Sequence, residues 1–434
     1  MHRAETKQNN HTACAPRIAA VDTGRGLAIL MIVTAHVLRK GAAADYLMST
    51  GVVLFCVLSG YVMHRKGTFL QRVQKRLKRI YLPYLAVGLV SILVYSVLGR
   101  YAGSLLQTNA KETETGILQN LWYLLYANSK NHHSMKWNET LWFFPCFLAA
   151  LLLSALIEAL VQTAAGKNAE AKKQETRDRE GESTQRAGKQ ERAGDGILQE
   201  RKQNILRLVL SLLVLLAGWI LVSLYDARLP WQGETACHML PFLELGIALG
   251  ERDRRRREEK RESESCGCTA AALTGNDRSG GGENPDRKER TGSLLQTVLL
   301  LAAGILLSIP FGGSSIRTDE YPAGFLSYLT IVLNVLAFWE IAKILPAWET
   351  LEKLGRRSLG VMLWNKFPVV AVQAAAKHAG IAKWFLEKST PAAVLIAFLL
   401  AIVCVGLCLV WTGIPAWGKA MCRGTAGTAG DGRA

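Results

Sequence analysis

Residues 18–38 read IAAVDTGRGLAILMIVTAHVL, and this stretch decides how the rest of the chain is read. It is long and apolar enough to cross a hydrocarbon core of about 30 Å as a helix, yet it carries Asp22, Arg25 and His36. Ionisable groups inside a span cost several kcal/mol unless they are paired or face water, so each is a functional hypothesis by default. At about 100° per residue, His36 falls about 20° from Arg25 after three turns and about 40° from Asp22 after four. All three share one stripe, with Gly26 beside it to allow close approach. The rise of about 1.5 Å per residue separates Arg25 from His36 by roughly 16 Å along the axis.

The same pattern repeats along the 434 residues. Half of the chain is apolar and 20% is charged, and the net charge is +17. The apolar residues come in blocks separated by the charges, which excludes a soluble globular fold. Ten candidate spans lie near 18–38, 47–63, 81–99, 141–162, 204–224, 236–250, 294–310, 324–345, 358–376 and 392–413. With the N-terminus cytoplasmic, 38 of the 52 Lys and Arg fall on the cytoplasmic side and 11 on the other, as positive-inside topology requires. The fold class expected is therefore an all-α membrane protein of about ten transmembrane helices with both termini cytoplasmic. Residues 1–17 and 414–434 form cytoplasmic tails around a membrane domain at 18–413. No small-residue cleavage site follows the first apolar run, so it is read as a span and not as a signal peptide.

Most of the positive charge thus faces one leaflet, where anionic lipid headgroups are sufficient partners; no nucleic-acid partner is expected. The loops 165–203 and 251–293 hold too few apolar residues to build a core and read as disordered or frayed helix. Within the second, Arg254-Arg255-Arg256-Arg257 reads as a solvated run or an anionic-lipid anchor. The nine cysteines include no CxxC pair and no Cys/His zinc spacing, so neither a disulfide framework nor a metal site is expected.

Further elements carry candidate chemistry. Residues 54–61, LFCVLSGY, place Ser59-Gly60 as a small-residue patch for helix contact. Arg76 and Arg79, three apart in the basic stretch before Tyr81-Leu82-Pro83, read either as a positive-inside signal or as a clamp for a phosphate-bearing ligand. At the external loop 101–140 and its exit, Trp137, Glu139 and Trp142 suit a sugar, since aromatic rings cover its faces and a carboxylate takes its hydroxyls. Ordinary interfacial anchoring explains the tryptophans equally. His132-His133 reads as a solvated pair.

Taken together, these motifs resemble the acyltransferase-3 family of integral membrane acyltransferases, which includes sugar O-acetylases. Asp22-Thr23-Gly24-Arg25-Gly26-Leu27-Ala28 followed by His36 is similar to the family's first-helix motif. Phe55-Cys56-Val57-Leu58-Ser59-Gly60 resembles its aromatic Ser-Gly motif, and Arg76-Leu77-Lys78-Arg79 with Pro83 its paired-arginine motif. Leu141-Trp142-Phe143-Phe144-Pro145 and Gly355-Arg356-Arg357-Ser358-Leu359-Gly360 are similar to two later elements. Asn365 departs from the pattern, because many relatives have a histidine near that position.

The resemblance implies transfer of an acyl group, usually acetyl from cytoplasmic acetyl-CoA, to a hydroxyl of a cell-envelope carbohydrate or glycolipid at a bacterial plasma membrane. Acetyl-CoA or another acyl-CoA is the donor substrate, and no bound cofactor is implied. Arg25, Arg76 and Arg79 are placed to hold the donor's phosphates; His36 acts as general base or as acyl carrier. Glu139, Trp142 and Asn365 are acceptor-side candidates. Two other readings remain open: a multi-pass transporter, against which the absence of repeated halves argues, and an inactive scaffold of the same fold.

Overall fold

The computed structural model describes residues 18–63, 68–102, 116–129, 136–179, 188–225, 229–274, 285–311, 314–317, 319–345, 348–381 and 390–413. The described residues are overwhelmingly helical, with one isolated β-bridge, Ser315–Glu320. The helices are α1 (Ala19–Leu38), α2 (Ala42–Tyr61), α3 (Phe69–Arg76), α4 (Leu82–Ala102), α5 (Ile117–Tyr126), α6 (Phe143–Arg179) and α7 (Gly188–Tyr225). They continue with α8 (Gly233–Thr274), α9 (Pro285–Phe311), α10 (Phe325–Ile344), α11 (Glu349–Arg356), α12 (Ser358–Trp364), α13 (Lys366–His378) and α14 (Pro391–Gly413).

Seven helices among the described residues are long and apolar enough to cross a membrane, or eight if α12 and α13, bent by 46° at Asn365, form one broken span. Two further runs expected from the sequence are present as helix but differ in kind. Leu294–Pro310 is a shorter apolar helix. The run at 236–250 lies in α8, where buried His238 and Glu244 interrupt its apolar character. This is an all-α, multi-pass membrane protein.

Among the described helices long enough to cross a membrane, α1 is the most buried, covered by α2, α10, α11, α12, α13 and α14. Two backbone contacts fix its position. Any Cβ at Gly26 would collide with the Leu351 carbonyl, and any at Gly355 with the Asp22 carbonyl. α11 therefore packs backbone to backbone against the Arg25 end of α1. A second close pair joins α2 and α8, where Gly60 meets the Leu243 carbonyl, Gly246 the Val57 carbonyl and Gly250 the Tyr61 carbonyl. Gly246 and Gly250 form a small-xxx-small pattern; in a bilayer, where lipid tails are as apolar as leucine, such approach supplies the packing that holds helices together.

Three readings are refined by the structure. Residues in 165–203 and 251–293 continue α6, α7, α8 and α9 as helix wherever they are described. Ala, Glu, Lys, Arg and Gln are strong helix formers, and extending an existing helix avoids the cost of a new nucleus. The Arg254 run is also not simply solvated. Arg254 Nη1 donates to the Tyr61 carbonyl at 3.0 Å and Arg257 Nη2 to the Tyr61 hydroxyl at 3.4 Å, while that hydroxyl donates to Asp253 at 2.7 Å. These guanidinium groups satisfy and electrostatically complement the C-terminus of α2. Finally, Leu77–Tyr81 is a π turn between α3 and α4. It shifts the register, so Arg76 and Arg79 do not present together as a regular α-helix would place them. The tails 1–17 and 414–434 and the pair His132-His133 lie outside the described residues, as does the side chain of Trp137.

Candidate active site

At one end of α1, Arg25 lies over the Phe55 ring, 5.9 Å from guanidinium carbon to centroid. Phe55 in turn meets Phe143 and Phe147 edge-on, at 5.7 and 6.2 Å. Three separate sequence motifs therefore converge here: the first-helix arginine, the aromatic before Ser59-Gly60, and the Phe143-Phe144-Pro145 start of α6. A guanidinium on an aromatic face gains about 0.5–2 kcal/mol, and the contact fixes the direction of Arg25 within the bundle.

The other paired-arginine residues are held differently. Arg76 Nη1 donates to the Leu151 carbonyl of α6 and its Nη2 approaches the Met63 sulfur, whereas Arg79 is exposed. Beside Arg76, Arg72 is 9% exposed and forms an ion pair with Glu158, which also accepts from Gln162 Nε2 at 3.0 Å.

His36 sits near the opposite end of α1. Its carbonyl, one of the last four that an α-helix leaves unsatisfied, accepts from Gln373 Nε2 of α13 at 2.7 Å. That bond ties the end of α1 to α13. Lys366, on the first turn of α13, and Arg317, in the connection before α10, lie within electrostatic reach of the ring. Arg317 pairs with Glu139 at 3.1 Å.

The connection that carries Arg317 is built, not loose. Ser315 and Glu320 exchange backbone hydrogen bonds at 2.9 and 3.1 Å. The Arg317 carbonyl accepts from Gln232 at 2.7 Å, and Asp319 accepts from Thr235 at 3.0 Å. Next to them Tyr321 stacks on Tyr328 at 4.4 Å between centroids, and the Tyr328 hydroxyl shares a hydrogen bond with His238 Nδ1. Burial pushes the Tyr321 phenol well above its ordinary value.

Glu139 and Trp142 line one void with Tyr84, Tyr123 and Asn138, but it measures only about 10 Å³, near the lower limit for a single water. Trp142 is 7% exposed, so it is packed and not an open loop residue. Asn365 is buried at the break between α12 and α13. Its Nδ2 donates to the Met362 carbonyl at 2.9 Å, and its Oδ1 has no hydrogen-bond partner among the described residues.

A family model described as an acyltransferase domain matches residues 18–411, nearly the whole chain. The chain belongs to the acyltransferase-3 family. No curated protein and no solved structure matches it. Within this acyltransferase-3 chain, the late Gly355 to Gly360 element has a visible packing role: Gly355 touches α1, Arg357 donates to the Leu409 carbonyl at 3.2 Å, and Gly360 faces Thr412.

Sequence reasoning did not single out Lys366, Arg317, Glu158 or Glu244. All but Arg317 are ionisable residues within or bordering apolar runs, the same signal that exposed Asp22, Arg25 and His36. Arg317 left no such mark, because a lone arginine in a short polar connection is unremarkable until the fold brings it to His36.

Proposed function

We propose that this membrane acyltransferase is an O-acyltransferase that transfers acetyl from acetyl-CoA, or another acyl from its CoA ester, to a hydroxyl of a cell-envelope carbohydrate or lipid-linked glycan. The observation that supports this reading best is the polarity of α1. One buried helix carries an arginine against an aromatic wall at one end and, roughly 16 Å along, a histidine with two cations in electrostatic reach. A CoA thioester has that same polarity, with phosphates at one end of a long thin arm and the reacting carbonyl at the other.

In this reading the Arg25 end faces the cytoplasm of a bacterial cell. Arg79, exposed at the surface, meets the donor's phosphates first, and Arg25 holds them deeper; Arg76 shapes the wall through Leu151. The His36 imidazole removes the proton of the acceptor hydroxyl as its oxygen attacks the thioester carbonyl; the C–S bond then breaks and the imidazolium returns the proton to the departing CoA thiolate. Alternatively, it takes the acyl group itself and passes it on. Lys366 and Arg317 stabilise the oxyanion that develops in either route. Glu139, Trp142 and Asn365 lie on the acceptor side, and the void beside Glu139 must widen to admit a sugar.

The test is transfer of isotopically labelled acetyl from acetyl-CoA to envelope glycans or lipids in proteoliposomes, read by mass spectrometry. His36→Ala should reduce transfer by about a hundredfold or more. Equal transfer by native and variant proteins would remove His36 from the chemistry. No transfer by either, with acceptors present, would overturn the enzyme reading in favour of a transporter or scaffold. A burst of acyl-protein in the native chain that His36→Ala lacks would select the acyl-carrier route.

A further inference from the structure

A cavity of about 190 Å³ opens between α7 and α8, with no residue of α1 in its lining. Two ionisable side chains in that lining are more than nine-tenths buried, Arg207 at 6% exposure and Glu244 at 4%. Their charges are met differently. Glu244 accepts from the Ser154 hydroxyl at 2.6 Å, has a further interaction within the protein, and lies in the field of Arg76. Arg72 and Arg76 thus balance Glu158 and Glu244, two charges against two. Arg207 is the surplus. Its Nη1 donates to the neutral Asn204 side chain at 3.0 Å, its buried Nε has no hydrogen-bond partner, and it forms no ion pair among the described residues. An uncompensated charge at that depth in a membrane helix is costly.

The surroundings add to that surplus. α7 and α8 are antiparallel, in a register fixed where a Cβ at Gly218 would meet the Cys237 side chain. Arg201 lies one turn before Ile205 on the cleft face of α7, and Arg252 one turn beyond Ala248 on that of α8. Both are exposed, and the antiparallel register brings them to the same end of the cleft. The carboxylates beside Arg252 are engaged within the protein: Asp253 accepts from the Tyr61 hydroxyl, and Glu251 is half-buried with a partner of its own. Towards the other end, Leu208 and Leu212 are exposed on the same face of α7. Arg207 is six residues into the span that begins at Arg201, about 9 Å along the helix axis. The cleft therefore straddles the boundary between headgroups and acyl chains.

We propose that this cleft binds a glycerophospholipid of net negative charge whose headgroup carries no cation, such as phosphatidylglycerol, from the leaflet at the start of α7. The phosphodiester accepts from the Arg207 guanidinium and from the Asn204 amide, whose oxygen already engages Arg207. The rest of the headgroup lies towards Arg201 and Arg252, and the acyl chains run along Leu208 and Leu212. Charge complementarity selects this occupant. The phosphate supplies the counter-ion that Arg207 lacks, in the charge-assisted geometry a guanidinium favours. An ammonium on ethanolamine or choline would instead be carried into two exposed guanidinium groups. Glu244, already compensated inside the protein, is not required as a contact. The site is independent of the acyl-transfer reading.

Native mass spectrometry of the full-length protein tests this, after equilibration in mixed micelles with phosphatidylglycerol, phosphatidylethanolamine or phosphatidylcholine of identical chains. The expected result is one retained phosphatidylglycerol, preferred about tenfold over either zwitterionic lipid, the scale that two interfacial arginines supply. Arg207→Gln should lose the retained lipid. Arg201→Gln/Arg252→Gln, which changes only exposed side chains, should bring the preference to about twofold or less with thermal unfolding unchanged. The test therefore stands even if Arg207→Gln fails to fold. Lys75→Gln/Lys78→Gln, which removes two exposed cations of the neighbouring basic stretch, should keep the native preference. Equal retention of the three lipids would overturn the proposal, as would native preference in Arg201→Gln/Arg252→Gln. Loss of preference in Lys75→Gln/Lys78→Gln would overturn it by showing that surface charge anywhere suffices. Displacement by glycerol phosphate at concentrations equal to the lipid would do so by showing a site for a soluble phosphate ester.

Discussion

Replacing Glu158 by Gln should destabilise the fold by removing the counter-ion of Arg72. The two side chains are 9% and 4% exposed. Solvent screening, which reduces surface pairs to about 0–1 kcal/mol, therefore does not apply. The relevant figure is the roughly 3–5 kcal/mol lost when one partner of a buried pair is removed and the other stays charged. Glutamine keeps the volume of Glu158 but turns one of its two acceptor oxygens into a donor. It can still accept from Arg72 or from Gln162, whose amide now donates to Glu158 at 3.0 Å, but not from both in the native geometry. The lower end of the range, about 3 kcal/mol, follows, and Glu158→Ala should exceed it because it also leaves a cavity. For a domain of this kind, about 2–4 °C per kcal/mol translates the loss into a midpoint roughly 6–12 °C lower. Thermal unfolding of the detergent-solubilised protein, followed by tryptophan fluorescence, measures it. The double variant Arg72→Met/Glu158→Leu should melt above Glu158→Gln, since replacing both charges with apolar groups is often neutral. A Glu158→Gln midpoint within about 1 °C of native would refute the reasoning, as would a double variant that loses the sum of the two single losses.

Three other perturbations separate packing from chemistry. Gly355→Ala should cost about 1–3 kcal/mol, because its Cβ meets the Asp22 carbonyl and must push α11 off α1; Gly406→Ala, with open space around it, should be neutral or stabilising by up to about 1 kcal/mol in the same melts. Arg317→Gln breaks a pair whose members are about two-fifths exposed, so the midpoint should move by no more than about 1 °C while kcat for acyl transfer falls at least about tenfold; unchanged kcat would remove Arg317 from the oxyanion's surroundings. Asn365→His puts a titratable ring at the break between α12 and α13, and it should change KM for acceptor with KM for acyl-CoA unaltered, measured with labelled acetyl-CoA; a shift in the acyl-CoA value alone would place this position on the donor side.

Much of the fold was legible because its determinants are local. Span length follows from the thickness of a hydrocarbon core and the rise of a helix, so the runs at 18–38, 141–162, 204–224 and 392–413 each appear as a helix long and apolar enough to cross. The common stripe of Arg25 and His36 follows from helical period alone, and Ser59-Gly60 reads as a contact patch because only small residues let backbones meet. The charged segments were legible only in part. Composition shows that 165–203 and 251–293 cannot form a core, but it does not show that a helix already nucleated in the membrane runs on into them.

What the sequence by itself determined is therefore which segments are helices in a membrane, and which charges have to be accounted for there. Only the tertiary structure decided which charges meet. Lys366 and Arg317 lie within electrostatic reach of His36, Glu158 pairs with Arg72, Arg254 completes α2, and Asn204 and Arg207 share a cleft with Glu244. The physical reason lies in the solvent. Lipid tails accept any apolar face equally well, so hydropathy carries no information about neighbours. Neighbours are chosen by close backbone approach at Gly26, Gly60, Gly246, Gly250 and Gly355 and by the partners that buried charges find once those helices are in contact.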